Sequence, residues 1–451
     1  MHKTTTDMTT GAIHPLILKF ALPLIAGNLF QQLYNTVDCV IVGNYVGKEA
    51  LAAIGSTSSL INAIIGFFMG LAAGGSVVIS QYFGAHDRES VRRTLHTMIL
   101  GSVIAGGFSI FFGQIASPVV LHLMGTPDDV FAMANIYLQI YFLGALFQMV
   151  YNVGAGILRA LGDATRPLYF LIVSSVVNVA LDFVFVVGLR QGIAGAAYAT
   201  VISQAVSMLL VLWVMVRTDE IYKIRLRELK IHADSLRRVL KQGLPGGIQM
   251  AITAFSNVFV QGYINRFGSA CMAGWACFNK IDQVSLLPIQ SVALSATTFV
   301  GQNYGAQNLP RVKEGVATSL QLAFVWNALI VLAFELLPGQ LIGMFNRDEH
   351  VLYYGTFFLR VGAPFYLFRV LNQVFGGVLR GLGNALAPTL VMLSSFVAFR
   401  QVYLAIATRI SASFVPVSLA YPAGWLLCGV LMVIVYALYT KKHVYGTTLT
   451  A

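Results

Sequence analysis

The stretch "ILRALGDATRP" (157–167) recurs as "VLRGLGNALAP" (378–388), an offset of 221 residues. The same offset joins "SQYFGAHDRESVRR" (80–93) to "GQNYGAQNLPRVKE" (301–314), pairing Gln81 with Gln302 and Gly84 with Gly305. Near the two starts, "ALP" (21–23) meets "GLP" (243–245) at 222. One spacing shared by separate blocks marks an internal duplication, so the chain is two copies of one unit in series.

Composition says what each copy is made of. Of 451 residues, 57% are hydrophobic and only 10% charged. Soluble domains carry about 25% charged residues, so this chain reads as a polytopic membrane protein. Apolar runs of bilayer-crossing length fall at roughly 17–45, 51–80, 95–123, 131–157, 168–189, 193–216, 239–265, 273–298, 315–338, 352–378, 388–409 and 414–439. That is an all-α chain of twelve transmembrane helices in two six-helix repeats. The expected division is residues 1–216 as an N-lobe, 217–238 as a linker and 239–451 as a C-lobe. Six spans is an even number, so both copies keep one orientation. Parallel repeats of this kind are related by an axis along the membrane normal, with a central cleft between lobes for substrate.

With the polar start "MHKTTTDMTTGAIHP", no cleavable signal is expected. The net charge of +11 follows topology. Twenty of the 29 Lys and Arg residues fall on the side that holds both termini, and five on the other. The positive-inside rule then puts both termini in the cytoplasm of a plasma or inner membrane. The basic run "RTDEIYKIRLRELKIHADSLRRVLK" (217–241) reads as a cytoplasmic linker along anionic headgroups, with no nucleic-acid partner. No nucleotide loop, zinc-protease helix or nucleophile elbow is present, and the four cysteines form no CxxC pair. A catalytic role is not expected. An ion-coupled carrier without cofactors remains, expected as a monomer in the lipid bilayer.

Asp38 is the single charge within "LYNTVDCVIVG" (33–43), and Asp182 is the single charge within "NVALDFVFVVG" (178–188). A carboxylate in hydrocarbon costs at least ~2.5–3.5 kcal/mol, so such an acid is a functional candidate by default. The plainer alternative is a hydrogen bond to a neighbouring helix. Asn178 lies one turn before Asp182 and shares its face. Within the second copy, Lys280, Arg360, Arg369 and Arg400 lie inside spans against Asp282. Pairing of Asp282 with Arg369 or Arg400 is the expected arrangement. The alternative is a positive cleft that accepts anionic ligands. Gln290 is a weaker polar candidate, and Phe255, Phe365 and Tyr366 could stack on flat ligands or simply pack.

The twelve spans, the LP of the first span, "YNTVDCVIVG", the "GAHD" turn, "LRALGDATRP" and "NVALDFVFVVG" together resemble the multidrug and toxic compound extrusion (MATE) exporters along nearly the whole chain. The resemblance implies export of amphipathic, often cationic, drugs or metabolites in exchange for Na⁺ or H⁺. It also implies that Asp38 and Asp182 line an N-lobe cavity with Asn178 and Thr200, forming the coupling site. A Na⁺ ion would be held by those four residues. Gln31, Tyr34, Asn35 and Asn152 are the expected N-lobe polar contacts, with Asn257, Gln283, Arg369 and Arg400 in the C-lobe. Pro23 is the expected bend of the first span. The seventh span lacks an acid, and the tenth has arginines where NorM-like members carry one. The resemblance is therefore closer to the DinF-like branch. A flippase of a lipid-linked precursor, or an exporter of an anionic metabolite, is the alternative.

Overall fold

The computed structural model describes residues 6–411 and 413–444. Residues 22–247 form one compact unit. Its helices are α1 (Ile13–Tyr45), α2 (Lys48–Gly84), α3 (Arg88–Leu123), α4 (Asp128–Leu143), α5 (Ala145–Ala160), α6 (Thr165–Asp182) and α7 (Gly192–Arg217). The first turns of α8 (Ala233–Asn265) complete it. The run 131–157, expected as one span, is two helices bent by 46° at Gly144. The run 168–189 changes from α to π winding at Phe183, directly after Asp182.

Residues 248 onward, joined by 8–21, form the second unit. It holds the rest of α8, then α9 (Gly268–Gly305), α10 (Leu309–Leu336), α11 (Pro338–Gly343), α12 (Glu349–Gly362) and α13 (Tyr366–Gly381). It closes with α14 (Leu386–Leu393), a π segment (Ser394–Phe399), α15 (Arg400–Ile410), α16 (Phe414–Ser418) and α17 (Ala420–His443). Hydrogen bonds tie the chain start into this unit. The Met8 N–H donates to Gln302 Oε1 at 2.9 Å, and Arg311 Nη2 donates to the Thr10 carbonyl at 2.9 Å.

Among the described residues, nine helices are long and apolar enough to cross a bilayer, and the bent α4–α5 pair is a tenth. The two other expected spans are α8 and the α12–α13 pair. Their polar residues dilute the apolar signal: Gln249, Ser256, Asn257 and Gln261 on α8, Arg360 and Arg369 on α12 and α13. No strand occurs among the described residues.

The duplication extends to backbone angles. His86 (φ 57°) and Gln307 (φ 56°), 221 apart, are both left-handed non-glycine residues. Gly162 (φ 85°) and Gly383 (φ 87°) repeat the match. Asp87 caps α3 by accepting from the Ser90 N–H, as Asn308 caps α10 through the Arg311 N–H. A left-handed residue closes one helix and a short acceptor opens the next, so the spans reverse within three or four residues.

Cores differ between the units. In the first, Ile41, Val42, Leu121, Leu138 and Ala197 form one cluster, and Ile79, Leu95, Ile157, Leu161 and Met215 form another. Aromatics dominate the second unit: Trp275, Phe278, Phe334, Phe358, Tyr366 and Trp425. Burying apolar groups against one another gains little over lipid tails, so close contact between small residues matters more. On α2 and α8, Gly70 and Gly74 meet Gly247 and Gly243 backbone to backbone. A Cβ on Gly243 would lie 2.6 Å from the Leu71 carbonyl oxygen, and one on Gly247 2.5 Å from that of Phe67. Only hydrogen fits at that crossing.

Candidate functional site

On α1, Gln31, Tyr34, Asn35 and Asp38 fall at i, i+3, i+4 and i+7, one helical face. On α6, Asn178 and Asp182 share a face that is sealed from solvent, at 1% and 0% exposure. The Asp38 and Asp182 carboxyl groups come within interaction range of each other. Asp38 Oδ1, both Asp182 oxygens and both polar atoms of the Asn178 amide are buried without a hydrogen-bond partner.

Unsatisfied buried polar atoms are rare and costly, so this cluster calls for an explanation such as a water, an ion or a shared proton. Hard oxygen donors with two negative charges suit a small alkali cation. The same facing carboxylates suit a proton, because like charges close together disfavour double ionisation. The α-to-π change beginning at Phe183 sits beside this pair, a local winding often found at functional positions. Of the four residues expected at the coupling site, Asp38, Asn178 and Asp182 carry these unpartnered buried atoms. Thr200 is half-buried on α7, and its hydroxyl donates back to the Ala196 carbonyl at 3.1 Å.

Tyrosines surround the acids. Tyr34 bonds Gln31 and lies within electrostatic reach of Asp38, as does the buried Tyr137. Tyr137 and Tyr141 have ring centroids 6.2 Å apart, and the Tyr141 hydroxyl donates to Gln148 Oε1 at 3.3 Å. Tyr137, Tyr141, Gln148 and Gln204 were not anticipated from sequence. The signal was available: 137, 141, 148 and 152 repeat at spacings of four and seven along one predicted span. Gln31 and Asn35 are exposed and Pro23 half-buried on α1. Asn152 lines an apolar cavity of about 230 Å³ with Phe68, Met98, Met149 and Leu240. Thioether and aromatic walls adapt to flat apolar ligands, and one amide gives an orienting contact.

The second unit holds one buried ion pair among its described residues. Asp282 accepts from both Arg369 and the Tyr366 hydroxyl, and the Arg369 guanidinium lies 4.7 Å from the Tyr366 ring and 4.6 Å from that of Trp425. Of the two expected partners of Asp282, Arg369 is the one found. Tyr366 is fully buried, so it packs. Arg400, 3% exposed, has no carboxylate partner among the described residues. It donates to Asn257 Oδ1 at 2.7 Å and Ser256 Oγ at 3.0 Å, lies 4.6 Å from the Tyr421 ring, and keeps a buried unpartnered Nε. Lys280, Gln283, Gln290, Arg360 and Phe255 are exposed. Among the described residues no three His, Cys, Asp or Glu side chains gather as a metal site.

The MatE family model matches residues 23–184 and 245–405, one match in each repeat. Two proteins of Bacillus subtilis (strain 168) are similar over most of their length. The probable multidrug resistance protein YoeA is 29% identical over 380 residues, 82% of each chain, and the probable multidrug resistance protein YpnP is 29% identical over 403 residues, 89% of each. A solved MOP superfamily transporter from Pyrococcus furiosus, reported with the statement that reverse polarity of its binding pocket suggests a different function, superposes with a TM-score of 0.92. That superposition covers 98% of both chains at 23% identity, which is a likeness of fold.

Proposed function

We propose, from the premise that this chain belongs to the MatE family, that it is a secondary active efflux transporter. It exports amphipathic small molecules, often cationic, by alternating access in exchange for Na⁺ or H⁺. The carrying observation is the pair of interacting carboxyl groups, Asp38 and Asp182, with Asp38 Oδ1 and both Asp182 oxygens buried and without a hydrogen-bond donor. Asn178 completes the donor set, and Thr200 offers a further oxygen. Neutralising the pair relieves the repulsion between α1 and α6. The face of α1 that carries Gln31, Tyr34 and Asn35 then repacks, with Pro23 as the point where the missing N–H permits a bend. A ligand bound by the ionised form is weakened by that repacking, and this gives exchange its coupling.

The placement of both acids in the first repeat, with none in the seventh or tenth span, supports a DinF-like rather than NorM-like assignment. The basic bias supports a plasma (inner) membrane location with both termini cytoplasmic. A monomer embedded in lipid is sufficient, since each donor named comes from one unit of one chain. Like other family members, the chain is a carrier and not an enzyme.

Proteoliposomes test the reading, with Na⁺ and pH gradients imposed separately. Asp38→Asn and Asp182→Asn should each fold, bind ligand in part and lose gradient-driven transport. Wild-type transport by Asp38→Asn under both gradients would refute the coupling role. A second reading rests on Arg400, a buried cation without an acid partner. With Asn257 and the exposed Gln283 it favours an anionic metabolite or a lipid-linked precursor as cargo. Competition of transport by organic anions and not by organic cations would select it.

A further inference from the structure

We propose that the start of α8 and the start of α3 enclose a binding site for the headgroup of an anionic glycerophospholipid, distinct from the transport site. A cavity of about 700 Å³ opens there, walled by Tyr82, Ser90, Arg93, Arg237, Arg238 and Lys241 and lined also by His232 and Asp234. Three arginines and one lysine share that lining with one carboxylate.

The segment before α8 is basic and could have been a loose strand along the membrane. It is instead docked. The Arg225 N–H donates to His96 Nε2 at 3.1 Å, the His232 N–H to Thr97 Oγ1 at 3.0 Å, and the Ile224 N–H to the Met215 carbonyl at 2.8 Å. Tyr222 is fully buried and accepts from Arg166. Thr94 Oγ1 donates to Ser235 Oγ at 3.3 Å, which fixes the first turn of α8 against α3. The cavity is therefore a held shape.

Its cations are not equivalent. Arg93 is committed to Glu89 at 2.8 Å, and the Arg238 guanidinium lies 5.4 Å from the Tyr82 ring. Arg237 and Lys241, four apart on one face of α8, have no carboxylate within ion-pair distance among the described residues. They are the pair available to a phosphate. A lipid, and not a soluble anion, fits because α3 runs from this wall into an apolar stretch of bilayer-crossing length. Leu236, Val239 and Leu240, on the other side of the same turns, line the apolar cavity beside Asn152. Cations at an anionic surface are worth a ~5-fold affinity change each.

The test uses the purified full chain in neutral detergent, titrated with dihexanoyl phosphatidylglycerol, with melting temperature and native mass spectrometry as readouts. Phosphatidylglycerol should raise the melting temperature and remain bound, while dihexanoyl phosphatidylcholine should not. Arg237→Gln/Lys241→Gln should weaken that response by ~25-fold and leave the lipid-free melting temperature unchanged, because both side chains are exposed. Arg237→Lys/Lys241→Arg should keep it. Arg227→Gln/Lys230→Gln, equal in charge but outside the cavity, should also keep it. An equal loss in that control pair, an equal response to phosphatidylcholine, or full reproduction of the effect by inorganic phosphate would overturn the lipid site.

Discussion

Consider Asp282 and Arg369, whose side chains are 16% and 7% exposed. Arg369→Met leaves Asp282 with the Tyr366 hydroxyl as its remaining strong donor, and breaking a buried pair from one side costs ~3–5 kcal/mol. Asp282→Asn leaves a cation that still stacks between Tyr366 and Trp425. Each such stack is worth ~0.5–2 kcal/mol, so this loss should be smaller, ~2–3 kcal/mol. Asp282→Asn/Arg369→Met removes both charges and leaves an amide that the Tyr366 hydroxyl can still bond. Its loss should be ~1 kcal/mol, because a well-packed apolar replacement of a buried pair is close to neutral. At ~2–4 °C per kcal/mol for a unit of this size, the Arg369 single change lowers melting by roughly 6–20 °C and the double change by a few degrees. Melting of purified protein followed by size-exclusion fluorescence reads all three. Additive losses, with the double variant as unstable as the two single shifts combined, would refute the idea that the pair is a unit.

Four further outcomes are expected. Asp38→Asn and Asp182→Asn should hold or gain melting temperature, since a buried charge disappears, while proteoliposome transport is lost; the double variant should be little worse than either. Gly74→Ala should destabilise the chain by ~1–3 kcal/mol because a Cβ there meets the Gly243 backbone, whereas Gly55→Ala, with nothing within 4 Å, should hold or gain. Asp87→Ala should cost ~1 kcal/mol at pH 7 through the lost cap on α3. The Ser90 hydrogen bonds hold the Asp87 carboxyl below its usual range, so the cap is fully present above the unfolded value and fades as pH falls through the folded one. The gap between wild type and variant in melting curves should therefore narrow and close in acid, below the ordinary carboxylate range; a gap that widens in acid would contradict this. Arg400→Met should raise or preserve melting temperature and reduce binding if the cargo is anionic, and cargo binding unaltered by it would remove the second reading.

The duplication was legible because turn chemistry is local. A left-handed residue and a capping side chain leave sequence traces, and His86 with Gln307, or Asp87 with Asn308, keep the 221 spacing. Asp38 and Asp182 stood out because an acid has few reasons to sit in an apolar run. Their tyrosine neighbours did not, because tyrosine in a span reads as ordinary packing, and the bend at Gly144 hides the shared face of Tyr137 and Gln148. The π segments have no residue signature: an extra residue per turn is a tertiary choice. Arg369 and Arg400 looked alike in sequence, and only packing gave one a carboxylate and the other an amide and a ring.

The glycine crossing of α2 and α8 has a consequence for the order in which the protein is made. Gly74 and its partner Gly243 are about 170 residues apart in the chain. At ~5–20 residues per second, the bare stripe of α2 waits roughly 10–35 seconds for its cover. Five helices are inserted in that interval, and the first unit is incomplete until Gly247 has left the ribosome. A gene split in the polar linker, the usual place to cut a duplicated carrier, would strand the lid of the first unit on the wrong fragment. Cutting after residue 247 keeps stripe and cover on one polypeptide.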